Sequence, residues 1–257
     1  MKNSSVDELF AQALRGEYDD HAAWEAIRAL HRVGSREILD YATEWCRSKN
    51  PLQRARGADV LAQLGKTAEH PSNRFPQESY SAVSEMLLQE TTPQTLAAAI
   101  TALGHVDNPA AIGLVSAYQN HPDADVRYAV AFTLGCFPND SGSILILLNL
   151  MEDPDADVRD WATFALGVLG SASSTEILDA LCRRMDDSNN DVREEAMVGL
   201  AKRQDRRILP ALITALESTS VSERVIEAAV EMLALETPPK AWDAQQYAAA
   251  LKAHLPS

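Results

Sequence analysis

Apolar residues recur three and four positions apart along most of the chain, which is the spacing of one buried face of an α-helix. The pattern is clear in the segments 144–148, 177–181 and 208–216. No stretch alternates apolar and polar residues at period two for long enough to predict a strand. The chain is therefore predicted to be all-α.

These helical segments alternate with copies of one longer pattern. Three copies align without gaps, at residues 123–135, 155–167 and 189–201, and each has Asp-Val-Arg near its start and a leucine near its end. Their arginines are 32 and then 34 residues apart, which fits one helix–turn–helix unit per repeat. Weaker copies flank them, as expected where end repeats must present a polar outer surface. They begin at Asp20, Arg54, Pro93 and Glu223.

The repeats predict a right-handed α-solenoid of about seven helix pairs, forming a single domain over residues 1–257. The pairs are expected at about 6–34, 36–65, 77–104, 109–136, 142–169, 174–203 and 206–235, and a capping helix at 241–255. Between residues 66 and 77, two prolines at Pro71 and Pro76 exclude a continuous helix. This segment is predicted to be either an exposed linker or a packed loop.

The repeated residues have structural interpretations. In the middle copy one helix face is predicted to be core; its residues are Val158, Trp161, Ala162, Ala165, Leu166 and Leu169. The arginine after the core valine should lie along apolar surface and reach an acidic turn of a neighbouring repeat. This predicts a structural ladder of Arg127, Arg159 and Arg193 with Asp125, Asp157 and Asp191. The alternative is that these arginines bind an anion.

Charge narrows the partner class. With 23 Lys and Arg against 37 Asp and Glu, the formal net charge is -14. Such a surface disfavours nucleic acid and anionic lipid, and it suits a basic protein partner. The alternative is that the acidity only keeps the protein in solution. Because Cys46, Cys136 and Cys182 form no C-x-x-C pair and the first residues have no apolar signal region, we expect reduced thiols and a cytoplasmic location.

No catalytic motif is present. The sequence has no H-E-x-x-H, G-x-S-x-G, G-x-G-x-x-G or phosphate-binding loop, and no histidine pair has zinc-ligand spacing with a third ligand in reach. Its histidines are His21, His31, His70, His105, His121 and His254. His105, after Leu103 and Gly104, is expected to cap a helix C-terminus rather than to act as a base. We expect no enzyme activity, no metal and no cofactor.

The Asp-x-Asp-Val-Arg-x-x-Ala-x-x-x-Leu-Gly pattern resembles the short HEAT repeats of phycobilin-lyase-type HEAT proteins, over about residues 93–218. The segments 157–167, 191–203 and 205–210 resemble more narrowly a bacterial subgroup. Some members of that subgroup are encoded beside Rhs-type polymorphic toxins and act as their immunity proteins. The resemblance implies a non-catalytic protein that binds and neutralises a cognate toxin domain. The alternatives are a scaffold or assembly factor and a HEAT-type enzyme, similar to a phycobilin lyase or a DNA glycosylase; the acidic charge argues against DNA.

In HEAT folds the second helix of each pair lines the concave face, which indicates where a partner would bind. Alignment of the copies places Tyr128, Asp160 and Glu194 at one position, and Phe132, Phe164 and Val198 at another on the same face. Aromatic anchors beside acids are typical of a protein-binding surface. The predicted partner-binding residues are Tyr128, Phe132, Asp160, Phe164, Glu194 and Glu195. The alternative is that Phe132 and Phe164 belong to the core and the face is only solvated.

Overall fold

The computed structural model of the protein describes residues 5–236, 239 and 242–253. Within these residues every regular element is helical and no strand occurs, so the all-α prediction is confirmed. Residue contacts divide the chain into two compact units, Met1–Cys136 and Phe137–Ser257. The prediction of a single domain stays a prediction. None of the helices in the described residues has the length and apolar character needed to cross a membrane.

The first unit contains four helix pairs. The first helices are α1 (Val6–Ala13), α3 (Arg36–Trp45), α5 (Pro76–Leu87) and α7 (Ala111–Val115), which continues as a 3-10 turn. The second helices are α2 (His21–Val33), α4 (Pro51–Ala62), α6 (Pro93–Val106) and α8 (Ala124–Gly135). The second helices pack on one another in chain order, α2 on α4, α4 on α6 and α6 on α8.

The second unit contains three helix pairs and a last helix. The first helices are α9 (Ser141–Leu150), α11 (Thr175–Arg184) and α13 (Leu209–Leu216). The second helices are α10 (Ala156–Phe164), α12 (Asn190–Lys202) and α14 (Glu223–Met232), and α10 packs on α12 and α12 on α14. The last helix, α15 (Ala244–Lys252), packs on α13 and α14. It lies inside the predicted capping helix, of which residues 241, 254 and 255 fall outside the described residues.

An acid or an amide begins each helix that carries the repeat motif. The side chains of Asp123, Asp155 and Asn189 accept hydrogen bonds from the backbone N–H groups two and three residues further on. These N–H groups have no partner inside the helix, so the cap stabilises the first turn. The first residue of the motif therefore determines where α8, α10 and α12 begin.

The segment between α4 and α5 is a packed loop. Asn73 is buried; its side-chain nitrogen donates to the carbonyl of Leu61 at 2.7 Å, and its oxygen accepts from the N–H of Phe75 at 2.8 Å. Gly34 and Gly65 both have positive φ and lie against each other; a Cβ on Gly34 would come within 2.5 Å of the Gly65 Cα. Glycine at both positions therefore lets the ends of α2 and α4 meet.

Helix α10 ends at Phe164, and the chain continues directly into a π-helical turn over Ala165–Leu169. A π turn has more residues per turn than an α-helix, and it rotates the residues that follow away from the original face. Val158, Ala162, Ala165 and Leu166 are buried as predicted. The core prediction is wrong for Leu169, which is 46% exposed, and holds only in part for Trp161, which is half-buried.

Arg203 satisfies the carbonyl groups that this turn leaves free. Its guanidinium donates to the carbonyls of Leu166 and Gly167, both at 2.6 Å, and of Gly170 and Ala172, at 2.9 and 2.8 Å. A fifth bond, at 2.8 Å, goes to the Gly199 carbonyl in its own helix. A single side chain therefore joins α12 to the end of α10 and caps the π turn.

Candidate functional site

A cavity of about 450 Å³ opens on the second helices of the first unit. We call it the first-unit cavity. Its lining comes from the segment before α2 and from α2, α4, α6 and α8, and it includes Trp24, His31, Asp59, Thr101, His105 and Tyr128. Small residues of α6 form one wall and leave the space open.

A buried network of charged and aromatic side chains forms the base of this cavity. Asp59 accepts a hydrogen bond from the Tyr18 hydroxyl at 3.0 Å, and its other oxygen lies 3.6 Å from Nη1 of Arg56. Arg56 is fully buried, donates to the carbonyls of Glu17 and Tyr18, and lies over the rings of Tyr18 and Trp24. Burial raises the pKa of Asp59 to about 7.

The two histidines of the cavity are uncharged at neutral pH. Burial lowers the pKa of His31, and burial followed by the charge of Lys66 lowers the pKa of His105 to about 4. Nε2 of His31 lies 2.9 Å from the carbonyl oxygen of Asp59, to which it donates. His105 lies in the last turn of α6, near the C-terminus where it was expected, although Asp107 is the residue that caps the helix. Its buried ring, with the lowered pKa, adds little charge to oppose the helix dipole.

The predicted partner-binding residues of the first unit lie at or near this cavity. Tyr128, 37% exposed, lines it together with the exposed Asp125. Phe132 is half-buried, and its ring lies 5.0 Å from that of His105. Phe132 is therefore neither a core residue nor a freely exposed one.

Three of the predicted residues meet an arginine that was not predicted in the second unit. We call Asp160, Phe164, Glu195 and Arg224 the second-unit cluster. Arg224 lies 5.5 Å from the centre of the Phe164 ring and pairs with Glu195 at 2.7 Å. Phe164 is half-buried and packs on Trp161, with ring centres 5.4 Å apart. Helices α10, α12 and α14 each contribute to the cluster.

The carboxylates of this cluster hold protons more tightly than usual. Burial, followed by the charges of Asp191 and Asp157, raises the pKa of Asp160 to about 6. Burial raises the pKa of Glu195 to about 7, although Arg224 opposes the shift. Among the described residues, Oδ1 of Asp160 and Oε2 of Glu195 are buried atoms without a hydrogen-bond partner. The cluster therefore gains most from an added donor or positive charge.

The remaining aligned residues of α12 lie in different surroundings. Glu195 is buried and ion-paired with Arg224, so its role in partner binding stays a prediction. Glu194 accepts a hydrogen bond from Asn190 and lines a separate cavity of about 520 Å³ beside α13. Val198, aligned with Phe132 and Phe164, is fully buried, so the apolar row does not continue along α12.

The predicted arginine ladder has different acids from those expected. Arg159 binds Asp187 with two hydrogen bonds, from Nε at 2.8 Å and from Nη2 at 2.9 Å. Its Nη1 donates to the carbonyls of Asp153 and Pro154 in its own turn. Arg54 binds Glu90 in the same bidentate way in the first unit. In both pairs the acid, Glu90 or Asp187, lies two residues before the N-cap of the second helix in the following repeat. The acids that were predicted for the ladder lie inside the helices instead and are exposed; they are Asp125, Asp157 and Asp191.

The other two predicted arginines share part of this arrangement. Nη1 of Arg127 donates to the carbonyls of His121 and Pro122, and Nη1 of Arg193 to those of Asp187 and Ser188. Nη2 of Arg193 binds the side chain of Asn190. These arginines therefore tie the turn before each second helix to the helix itself.

Sequence reasoning missed the residues at the base of the first-unit cavity. Arg56 and Asp59 lie in the almost entirely apolar stretch from Ala55 to Ala62, and a charged pair inside such a stretch is a signal of a buried polar network. Tyr18 and Trp24 come from a different repeat, so only the fold brings them to Arg56. Arg224 was missed because the copy that contains it departs from the motif.

The sequence matches the HEAT repeats family over residues 80–167 and 113–198, and the PBS lyase HEAT-like repeat over residues 192–218. The protein YibA of Escherichia coli K12 is 30% identical over 240 residues, which are 90% of this chain and 81% of YibA.

Solved structures agree with this relationship. The crystal structure of E. coli YibA aligns with a TM-score of 0.68 at 27% identity, covering 91% of this chain and 88% of that one. A designed armadillo repeat protein in complex with the peptide (KR)4 shares the fold, with a TM-score of 0.52 at 15% identity; the alignment covers 77% of this chain and 98% of the designed one. The matched repeats, the stacked second helices and the 30% identity to YibA together show that the chain belongs to the HEAT-repeat protein family.

Proposed function

We propose that this chain is a non-catalytic binding protein, and that it acts as an immunity protein by covering a basic surface or the active site of a cognate toxin domain. The second-unit cluster is the observation that carries the proposal. There the half-buried Phe164 and two carboxylates lie on packed second helices, an arrangement that suits an apolar anchor surrounded by polar groups.

Charge supports a basic partner. The chain has a formal net charge of -14, and the cluster holds buried carboxylate oxygens without hydrogen-bond donors. A lysine or arginine of a partner would supply such donors and would favour the ionised form of Asp160. Long-range attraction between opposite net charges would also speed association.

Where a reading frame next to the gene encodes a toxin-like domain, that domain supplies the direct test. The domain is expressed in a host with and without this protein, and growth is measured. We expect growth only when both are present, together with a complex of the purified proteins. Toxicity that continues despite a folded, abundant HEAT-repeat protein would refute the immunity role.

Variants of the cluster test where the partner binds. We expect Phe164→Ala to weaken the complex by about thirtyfold, because buried aromatic anchors commonly contribute about 2 kcal/mol or more. Asp160→Lys should weaken it too, mainly by slowing association. Glu176→Lys makes the same charge change on an exposed part of α11 and is the matched control.

Thermal melts must accompany these measurements, because a phenylalanine of the core would cost about 3–5 kcal/mol of stability when cut to alanine. A large loss of stability with unchanged binding by the folded fraction would make Phe164 a core residue. Equal binding by wild type, Asp160→Lys and Glu176→Lys would exclude the cluster as the partner site.

A further inference from the structure

Another cavity of the first unit is lined by basic residues. It measures about 490 Å³ and lies where the C-terminal ends of α2 and α4 meet the packed loop between α4 and α5. We call it the loop cavity. Two arginines, a histidine and two hydroxyl groups line it, and none of its described lining residues is an aspartate or a glutamate. The lining consists of Arg32, Val33, Gly65, Thr67, His70, Ser72 and Arg74.

The packed loop holds one of these arginines in place. The backbone N–H of Arg74 donates to the carbonyl of Leu64 at 2.8 Å, and Nη1 donates to the carbonyl of Gly34 at 3.1 Å. Between these two bonds the side chain lies against Gly65, where an added Cβ would come within 2.7 Å of the Arg74 Cβ. Nε and Nη2 of Arg74 have no hydrogen-bond partner among the described residues. Because both ends of the side chain are fixed, a ligand that binds these free donors has little side-chain entropy to remove.

The other arginine has no partner of its own. Arg32 lies in the last turn of α2, is exposed, and forms no hydrogen bond or ion pair with any described residue. The acid of its helix, Glu25, is two turns earlier and pairs with Arg28 at 2.6 Å. A positive charge in the last turn is favourable in itself, but this leaves the five N–H donors of the guanidinium unused. In the rest of this acidic chain, arginines such as Arg159 and Arg224 pair with carboxylates.

Residues of the loop add further donors. The Thr67 N–H donates to the His70 carbonyl at 2.8 Å, and the His70 N–H donates to the Thr67 hydroxyl at 3.1 Å, so these two residues close a turn. The imidazole of His70 and the hydroxyl of Ser72 have no hydrogen-bond partner among the described residues. The acid of the loop, Glu69, accepts a hydrogen bond from the Thr67 hydroxyl at 3.2 Å and lies outside the lining.

The local charge of the loop cavity is opposite to that of the whole chain. The formal net charge is -14, but charges farther away than a Debye length of about 8–10 Å are largely screened at ordinary salt. The two guanidinium groups therefore dominate the potential inside the cavity. Guanidinium groups bind phosphate through paired N–H donors, and two of them match the two charges of a phosphate monoester.

We propose that the loop cavity binds a phosphate monoester, with Arg32 and Arg74 as the residues that hold the anion. Its volume lies within the range of ligand pockets, about 300–1,000 Å³, so it has space for the phosphate and part of the organic group. Val33, 50% exposed, supplies apolar surface for that group. Two sources share this chemistry: a free phosphate monoester, and a phosphorylated serine or threonine side chain of another protein. The site is independent of the proposed immunity role, which rests on the second-unit cluster.

Titration calorimetry on the full chain tests the site with three probes at low salt and pH 8, where a phosphate monoester carries two charges. Ethyl phosphate represents free monoesters, N-acetyl-O-phosphoserine N-methylamide represents a modified side chain, and ethyl sulfate has nearly the same shape with a single charge. We expect saturable one-to-one binding of at least one phosphate probe and about tenfold weaker binding of ethyl sulfate than of ethyl phosphate, since one charge of the pair is lost. Tighter binding of ethyl phosphate than of the phosphoserine probe would identify a free monoester as the ligand, and the reverse a protein side chain.

Variants locate the binding in the cavity. Arg32→Gln removes one charge at an exposed position, so phosphate binding should weaken by about tenfold or more while the melting temperature is nearly kept. Arg28→Gln makes the same charge change one turn earlier on α2, outside the lining, and should bind like wild type. Ser72→Glu places a carboxylate in the cavity from an exposed position and should abolish binding. Ala22→Glu, at an exposed position of α2 outside the lining, is its control.

The inference is overturned if neither phosphate probe saturates, if ethyl sulfate binds as tightly as ethyl phosphate, or if Arg32→Gln and Ser72→Glu bind like their controls. Thermal melts of all four variants show whether a loss of binding is a loss of the folded state. None of these results depends on toxin neutralisation, so the failure of one proposal leaves the other to its own test.

Discussion

Removing Arg159 should show how much the ladder contributes to stability. Arg159→Ala deletes two charge-assisted hydrogen bonds to Asp187, at 2.8 and 2.9 Å, and the donor to the carbonyls of Asp153 and Pro154. The two charged side chains are only 12% and 4% exposed, so solvent screens the pair weakly. Asp187 keeps a bond from Arg184 at 3.1 Å and is not left unpaired. We therefore expect a loss of about 1.5–3 kcal/mol, the range for a hydrogen bond to a charged group.

Arg183→Ala is the matched control. Arg183 pairs with Glu152 at 3.2 Å, but the two side chains are 57% and 48% exposed. An exposed pair of this kind contributes at most about 1 kcal/mol. The assay is urea unfolding followed by far-UV circular dichroism, with Arg159→Ala, Asp187→Asn and the double variant forming a cycle that isolates the pair.

The pH dependence supplies a second criterion. The hydrogen bond from Arg159 lowers the pKa of Asp187, so the pair's stabilisation is present above the unfolded pKa of aspartate and is lost as pH falls through the lowered folded value. The gap between wild type and Arg159→Ala should therefore narrow at acidic pH. Losses at Arg159 and Arg183 that agree within about 0.5 kcal/mol, or a coupling energy near zero, would refute the structural role.

Three further predictions follow from other contacts. Because the pKa of Asp160 is raised to about 6, the protein loses stability as pH rises through that value and the carboxyl ionises. Asp160→Asn should therefore raise the melting temperature at pH 8, and by less toward pH 4. An increase in melting temperature that is the same at both pH values would contradict this. Arg203→Ala should lose about 2–4 kcal/mol in urea unfolding, whereas Arg15→Ala, at an exposed position, should lose little; similar values would exclude the carbonyl-capping role. Association with a basic partner should slow as salt is added, because the Debye length is only about 10 Å at 0.1 M salt and the attraction between the two proteins is screened beyond it. The protein should also not retard duplex DNA in a gel.

The helices were predictable because the apolar spacing is local to each of them, and several also begin with a side-chain cap, as Asp123 and Asp155 show at the starts of α8 and α10. Contacts between repeats were harder, since Asp187 lies outside the aligned motif and only the packed turn brings it to Arg159. The exposure of Leu169 could not be predicted, because a single π turn changes the face of a helix without changing its apolar spacing.

The candidate site, too, was predictable only where local sequence determines a residue's position. Tyr128 and Phe164 were found by alignment of the copies, and both lie at partly exposed positions on second helices. The first-unit cavity was missed because its parts come from four helices and from the segment before α2, and no local spacing relates Trp24 to Asp59. Burial also changes the chemistry: the sequence shows six histidines, but only the packing determines that His31 and His105 are neutral.

The direction of the ladder has a consequence for how such chains change in length. Arg54 and Arg159 each reach forward to the acidic turn of the following repeat, so each of these two pairs spans the boundary between two repeats. An in-frame duplication of the repeat that contains Arg159 would place a copy of Asp153, two residues before the N-cap, opposite the original arginine, so the buried charge would keep an acidic partner. A duplication with an end between the acidic turn and the arginine of a repeat would separate these two groups, and the protein that carries it would lose stability. Gene variants that gain or lose one repeat should therefore have their breakpoints in the first helices.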